Sequence, residues 1–265
     1  MSTSDRTDHA SVVTPVDHRT AVAAETARFV AAVKGADLAT AVAGCPGWTL
    51  ADLVKHTGSV QRWFSALLRA RIQEPPRKRE VDLRLPERED GYADWLGESA
   101  TVAADAFAAT DPYLPMWAWG ADQHARFWVR RMLFETLLHR ADAELALGRQ
   151  PAIDRRVAVD GIDEFLVNLP FATFFAPKVA NLRGPDKTIC FRTTDGDDAW
   201  LVRLKPDGFG LDTAHPTADT ADATVRGTAA DLLLLVYGRL PYEAEALAHE
   251  GDEDLLAHWF ANSAF

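Results

Sequence analysis

Residues 134–142 read FETLLHRAD, and how this stretch is buried decides the fold. Glu135 and His139 stand four apart in a run with the apolar spacing of one long helix. That helix is predicted from about Gln123 to Leu147, with Gly148 as its stop. At about 100° per residue, Phe127, Phe134, Leu138 and Leu145 share a narrow sector, with Trp128, Met132 and Ala146 to one side. Glu135, His139 and Asp142 fall between these groups, inside the apolar stripe, and Thr136, Arg140 and Glu144 are left for the outer face. The helix therefore turns a carboxylate and an imidazole inward. Left unpaired in a core, each costs on the order of several kcal/mol.

Three arrangements compensate for that cost. Arg131, on the same sector, can pair with Glu135 or Asp142 in a closed polar cluster. Glu135 and His139 can serve as an acid–base pair without a metal. Or they can grip one ion, because side chains at i and i+4 project together. A di-iron site would need Glu-x-x-His pairs on several helices, which the sequence lacks, so any metal here is a single ion. An open mononuclear site takes a third protein ligand. His56, beside Leu53, Val60 and Trp63 in ADLVKHTGSVQRWF, is the natural one. His124 competes, but it precedes Glu135 by about three turns. His9, His18, His215, His249 and His258 sit in tails, loops or the second half and read as surface.

Outward from this helix, residues 16–34 and 50–70 carry two more amphipathic patterns. Gly35 stops the first. The second starts at Thr49 as N-cap, with Asp52 at N3 completing a capping box and Trp48 and Leu53 placed as a hydrophobic staple. PPRKREVDLRLPER (75–88) reads as an exposed connection. A further helix spans about 90–109, with Tyr92, Trp95, Leu96, Ala103 and Phe107 on one side. The loop TDPYLPMWAWG, with Trp117 and Trp119, either lines a cleft or caps the bundle. Four helices so connected predict a four-helix bundle over residues 1–150.

Residues 151–265 change character. After a helix at about 154–169 come KTICFRTT, AWLVRLKP, GFGLDTA and DATVRG, alternating segments separated by turn signals. Helices in TAADLLLLVYGR and near 251–261 close the chain. The fold class is α+β: a helical bundle, then a small domain with a mostly antiparallel sheet.

The net charge of −11, from 28 basic and 39 acidic residues, argues against nucleic acid and anionic membrane as partners. Two distant cysteines build no disulfide framework, so a reducing cytoplasm is expected. The longest apolar run, DLLLLVYG, is too short to span a bilayer. The start MSTSDRTDHA has neither the basic nor the apolar region of a signal peptide, and the first dozen residues read as a frayed tail. Nothing demands an obligate partner, so a monomer or weak homodimer is expected.

GCPGWTLADLVKHTGSV (44–60) together with RRMLFETLLHRADAEL (130–145) resembles the mycothiol-dependent maleylpyruvate isomerase family, within the DinB-like superfamily. ADATVRGTAADLLLLVYGRLP (221–241) is similar to that family's C-terminal, sterol-carrier-like domain. The resemblance covers nearly the whole chain. It implies a metal triad of His56, Glu135 and His139, with mycothiol or a similar thiol as cosubstrate. Zinc is the expected ion, although nickel, manganese and iron suit the same donors. Asp142 either orients a liganding imidazole or forms a salt bridge with Arg131. The implied chemistry is attack of a metal-bound thiolate on a small electrophile, giving an isomerase or an S-transferase. Arg226, in TVRG, is the expected contact for a substrate carboxylate, with Arg239, in YGRLP, as a second. Cys45, just before a helix, reads as packing more than as a reactive thiol. A hydrolase using bound water and a non-catalytic DinB-like binding protein are the alternatives.

Overall fold

The computed structural model describes residues 15–76, 81–212 and 221–264. The four expected helices of the first half are α1 (His18–Val33), α2 (Leu50–Ala70), α3 (Tyr92–Ala108) and α4 (Ala125–Ala146). Helix α1 packs between α3 and α4, and α2 packs against the same two from the other side. The start of α2 follows its sequence signal. The Thr49 side chain accepts from the Asp52 amide, and the Asp52 carboxylate accepts from the Thr49 amide at 3.0 Å. Trp48 packs on the small core that contains Leu53, where a staple would place it.

Helix α4 departs from its predicted two-sided character. Thr136 and Arg140, expected on the outer face, are 0 % and 1 % exposed, whereas Leu145, expected inside, is 38 % exposed. The physical reason is that α1 and α2 cover the face that carries Thr136 and Arg140, while Leu145 lies in the last turn of α4, beyond that cover. Its polar residues are therefore paired rather than solvated. Gln61 of α2 donates to the Thr136 hydroxyl at 3.1 Å. Arg140 donates to Glu25 of α1 at 2.6 Å, to Glu144 at 2.5 Å and to the Ala152 carbonyl at 3.1 Å.

Helices α2 and α3 meet closely at Gly58, where an added Cβ would stand 2.3 Å from the Trp95 ring. Trp95 is buried, and its indole N–H donates to the Leu83 carbonyl. The ring has little room to retreat. Changing Gly58 to Ala is therefore expected to cost about 1–3 kcal/mol by overpacking. Urea denaturation showing no loss of stability would contradict this contact.

The second half begins with α5 (Arg155–Asn168), followed by short 3-10 segments at 169–174 and 177–181. The strands are β1 (Lys187–Thr193), β2 (Ala199–Lys205), β3 (Gly208–Leu211), β4 (Ala223–Gly227) and β5 (Ala248–Gly251), in sheet order β3-β2-β1-β4-β5. β1 and β4 run parallel and the other pairs antiparallel. The sequence carried no signal for β5, because AHEG is exposed throughout and alternates nothing. Helices α6 (Ala229–Val236) and α7 (Glu253–Asn262) complete the domain. One apolar cluster runs from Val22 of α1 to Trp259 of α7, so bundle and sheet share a continuous core. No described helix is long and apolar enough to cross a membrane. The expected tail, His9 and His215 lie outside the described residues.

Candidate metal centre

Where α2 and α4 run side by side, His56 faces Glu135 and His139. Its Nε2 lies 3.7 Å from Glu135 Oε2, and His139 Nε2 lies 3.6 Å from the same oxygen. One potential ligand atom from each of the three lies within 4.8 Å of the others. The two imidazoles meet edge-on with centroids 4.9 Å apart. Trp48 packs against both rings, at 5.0 Å from His56 and 6.0 Å from His139. Sequence reasoning placed Trp48 only in the staple. Its position directly before the capping box is the signal that could have assigned it to the site.

Each arm is held from behind. His139 Nδ1 shares a 3.0 Å hydrogen bond with Asp142 Oδ2, which leaves Nε2 facing Glu135. Asp142 does not pair with Arg131. Its partner is Arg239, which donates from Nε at 3.1 Å and from Nη2 at 3.0 Å. Arg239 reaches across because the chain turns sharply after α6 at Gly238, whose φ of +73° favours glycine. Arg131 instead backs Glu135, with Nη2 3.4 Å from Oε1, while Nη1 donates to Glu164 of α5 at 2.7 Å. Tyr237 accepts from Arg131 at 3.0 Å and donates to Glu164. Thus Oε1 of Glu135 belongs to the polar cluster, while Oε2 faces the imidazoles. The closed-cluster and open-site readings of Glu135 share one carboxylate.

The electrostatics favour a ligand-ready carboxylate. Burial pushes the Glu135 carboxyl up, but Arg131, His56 and His139 hold it below the usual carboxylate range. Asp142 is likewise lowered: burial opposes this, and hydrogen bonds from His139 and Arg239 outweigh it. Cys45 behaves oppositely. Burial and the Asp142 charge raise its thiol to about 11, so it is not a ready nucleophile.

A cavity of about 430 Å³ opens over the three arms, walled by Trp48, Leu138, Phe175, Tyr237, Arg239 and Cys45 among others. Arg226 is not among its lining residues. It lies in β4, where its guanidinium pairs with Glu250 of β5 at 3.0 Å. The structure thus places the expected carboxylate contact outside this cavity's lining, in an exposed pair with a residue of β5, a strand without a sequence signal. Trp117 and Trp119 do not line the cavity either. Trp117 packs on Trp128, and Trp119 on Phe127 and Phe175. His124 is the N-cap residue of α4 and bonds Asp122 at 2.6 Å. His18, read as surface, is partly buried against Asp160 at 2.7 Å. Glu164 and Tyr237 were missed, since nothing in their own segments marks them as partners of an arginine in α4.

Removing the carboxylate that orients His139, by Asp142→Asn, is expected to lower metal affinity 10- to 100-fold. Chelator competition checks this, and unchanged affinity would mean that His139 needs no orienting partner.

Bundle, mixed sheet and a three-armed imidazole–carboxylate cluster at their junction define an α+β protein built around a candidate metal pocket. Its residues 19–144 match the mycothiol maleylpyruvate isomerase N-terminal domain, and residues 156–258 match the C-terminal domain of the same proteins. The chain belongs to the mycothiol-dependent maleylpyruvate isomerase family, an enzyme family. Among solved structures it is similar to a mycothiol-dependent maleylpyruvate isomerase (13 % identity, TM-score 0.59) and to a histidine-to-alanine variant of such an enzyme (12 %, TM-score 0.60). Each likeness covers 88 % of this chain and 91 % of the other, and at this identity it concerns the fold. No curated protein sequence matches the chain.

Proposed function

We propose that this protein is a metal-dependent isomerase or S-transferase that uses mycothiol or a similar low-molecular-weight thiol against a small electrophile. The observation that carries the reading is the convergence of His56, Glu135 and His139 at the floor of an accessible cavity. The donor set fits a divalent ion. Two imidazole nitrogens and one carboxylate oxygen come from rigid helices, and Asp142 fixes the tautomer of His139. When bound there, zinc or a similar ion supplies Lewis acidity that deprotonates an incoming thiol, whose thiolate is the nucleophilic form.

The chain's own residues do the rest. Glu135, kept ionised by Arg131, contributes negative charge that helps retain a cation. Trp48 and Leu138 give the pocket an apolar wall beside the imidazoles. Cys45, with its raised pKa, leaves the nucleophile's role to the external thiol. Addition of such a thiolate to a cis alkene, rotation about the new single bond and elimination give the trans isomer. With a leaving group on carbon, the same attack gives an S-conjugate.

The purified protein is expected to hold about one divalent ion per chain and to turn over its electrophile only with added thiol. Elemental analysis under metal-replete conditions, followed by assays with and without thiol, checks both. Absence of metal under every loading condition overturns the reading. Metal-dependent turnover that ignores thiol would favour a hydrolase.

A further inference from the structure

We infer that Glu164 of α5, in the second half of the chain, is a positioning residue for the metal centre: by holding Arg131 it keeps the charge of Glu135 available to an ion. The inference rests on the metal reading of His56, Glu135 and His139 and adds to it a residue from outside the bundle.

One guanidinium lies between two carboxylates. Arg131 donates from Nη1 to Glu164 Oε2 at 2.7 Å, whereas its Nη2 stands 3.4 Å from Glu135 Oε1. The closer partner is the one outside the bundle. The three groups together carry one net negative charge, and Glu135 turns Oε2 toward the imidazoles. Shared in this way, Arg131 favours an ionised Glu135 without cancelling its charge. Without the Glu164 charge, the buried guanidinium would turn wholly to Glu135, because an unpaired cation in a core is costly. The carboxylate so neutralised would attract a divalent ion less strongly.

Glu164 is built to stay in place. It is 1 % exposed, and Tyr237 donates to its Oε2 from a hydroxyl that also accepts from Arg131 at 3.0 Å. Asn168, one turn further along α5, donates to the Glu164 carbonyl at 2.8 Å and to Oε1 at 3.3 Å. The Asn168 Oδ1 in turn accepts from the Ala121 amide at 3.0 Å. The approach of α5 to α4 is set at Gly161, one turn before Glu164. An added Cβ there would stand 2.7 Å from the Phe134 ring and 2.6 Å from Leu233 of α6. Phe134 directly precedes Glu135, so the helix contact and the charge contact fall together. Docking of the second half on α4 thus fixes the charge environment of the site.

The test is the zinc affinity of the full chain, measured by competition with a chromophoric chelator. Glu164→Gln keeps the shape of the side chain and is expected to weaken zinc at least about tenfold. Adding Arg131→Met removes the cation as well and restores the one negative charge. Affinity is then expected to return to within about threefold of wild type. A residue that only supports the fold would give no such recovery. Asp163→Asn removes a neighbouring charge that pairs with Arg130 instead, and is expected to leave affinity unchanged. Wild-type affinity in Glu164→Gln, a double variant as weak as the single, or an equal loss in Asp163→Asn overturns the inference. Circular dichroism checks the fold. Should Glu164→Gln fail to fold, the double variant decides alone, and weakened zinc binding there overturns the inference. Absence of zinc binding in the wild type overturns the metal reading itself, whereas binding that Glu164→Gln leaves unaltered overturns only the role of Glu164.

Discussion

Glu135→Gln is expected to weaken metal binding by more than about 100-fold. Partners that only orient a ligand are worth 10- to 100-fold, and Glu135 is proposed as a ligand itself. It is the one anionic arm, and its Oε2 lies between both imidazoles, 3.7 Å from His56 and 3.6 Å from His139. The amide keeps the shape but loses the charge. Arg131 retains Glu164 at 2.7 Å, so the polar cluster behind the site survives and the fold should persist. Competition with a chromophoric chelator measures the affinity, and circular dichroism checks the fold. His56→Ala should behave alike, whereas His124→Ala, at the far end of α4, should leave affinity unchanged. Wild-type affinity in Glu135→Gln would remove the carboxylate from the site.

The largest stability effect is expected at Arg140. Changing it to Ala should cost about 3–5 kcal/mol, because Glu25 would keep its charge inside the bundle without its strongest partner. Glu25 is buried, and Arg28, which also pairs with it at 3.0 Å, is half exposed and cannot replace a buried guanidinium. Removing both charges with Glu25→Leu and Arg140→Leu should recover most of the loss, since the desolvation cost disappears with them. Urea denaturation of the single and double variants tests this. A single-variant loss below about 1 kcal/mol would mean that water reaches Glu25.

These two residues, five apart on α4, differ in how they could be read. Glu135 and His139 were legible because a fixed helical period places i and i+4 together, and because polar groups inside an apolar stripe demand partners. The α2 start was legible for a similar reason: Thr49, Asp52 and Trp48 interact within one turn. Arg140 was misplaced because periodicity reports one helix and its average environment. It cannot show that α1 covers the opposite face with a matching glutamate 115 positions away.

What the amino-acid sequence determined by itself was therefore local and periodic: the helices of the bundle, the alternating strands β1 to β4, and three candidate ligand arms on two helices. Only the tertiary structure decided which arginine meets which carboxylate. Asp142 found Arg239, 97 positions away, through the turn at Gly238, and Arg226 was claimed by a strand with no pattern of its own. The physical reason is range. Capping and helical spacing act over a few residues and leave a mark in the chain, whereas buried charges choose partners by desolvation and geometry after packing, when sequence separation no longer matters.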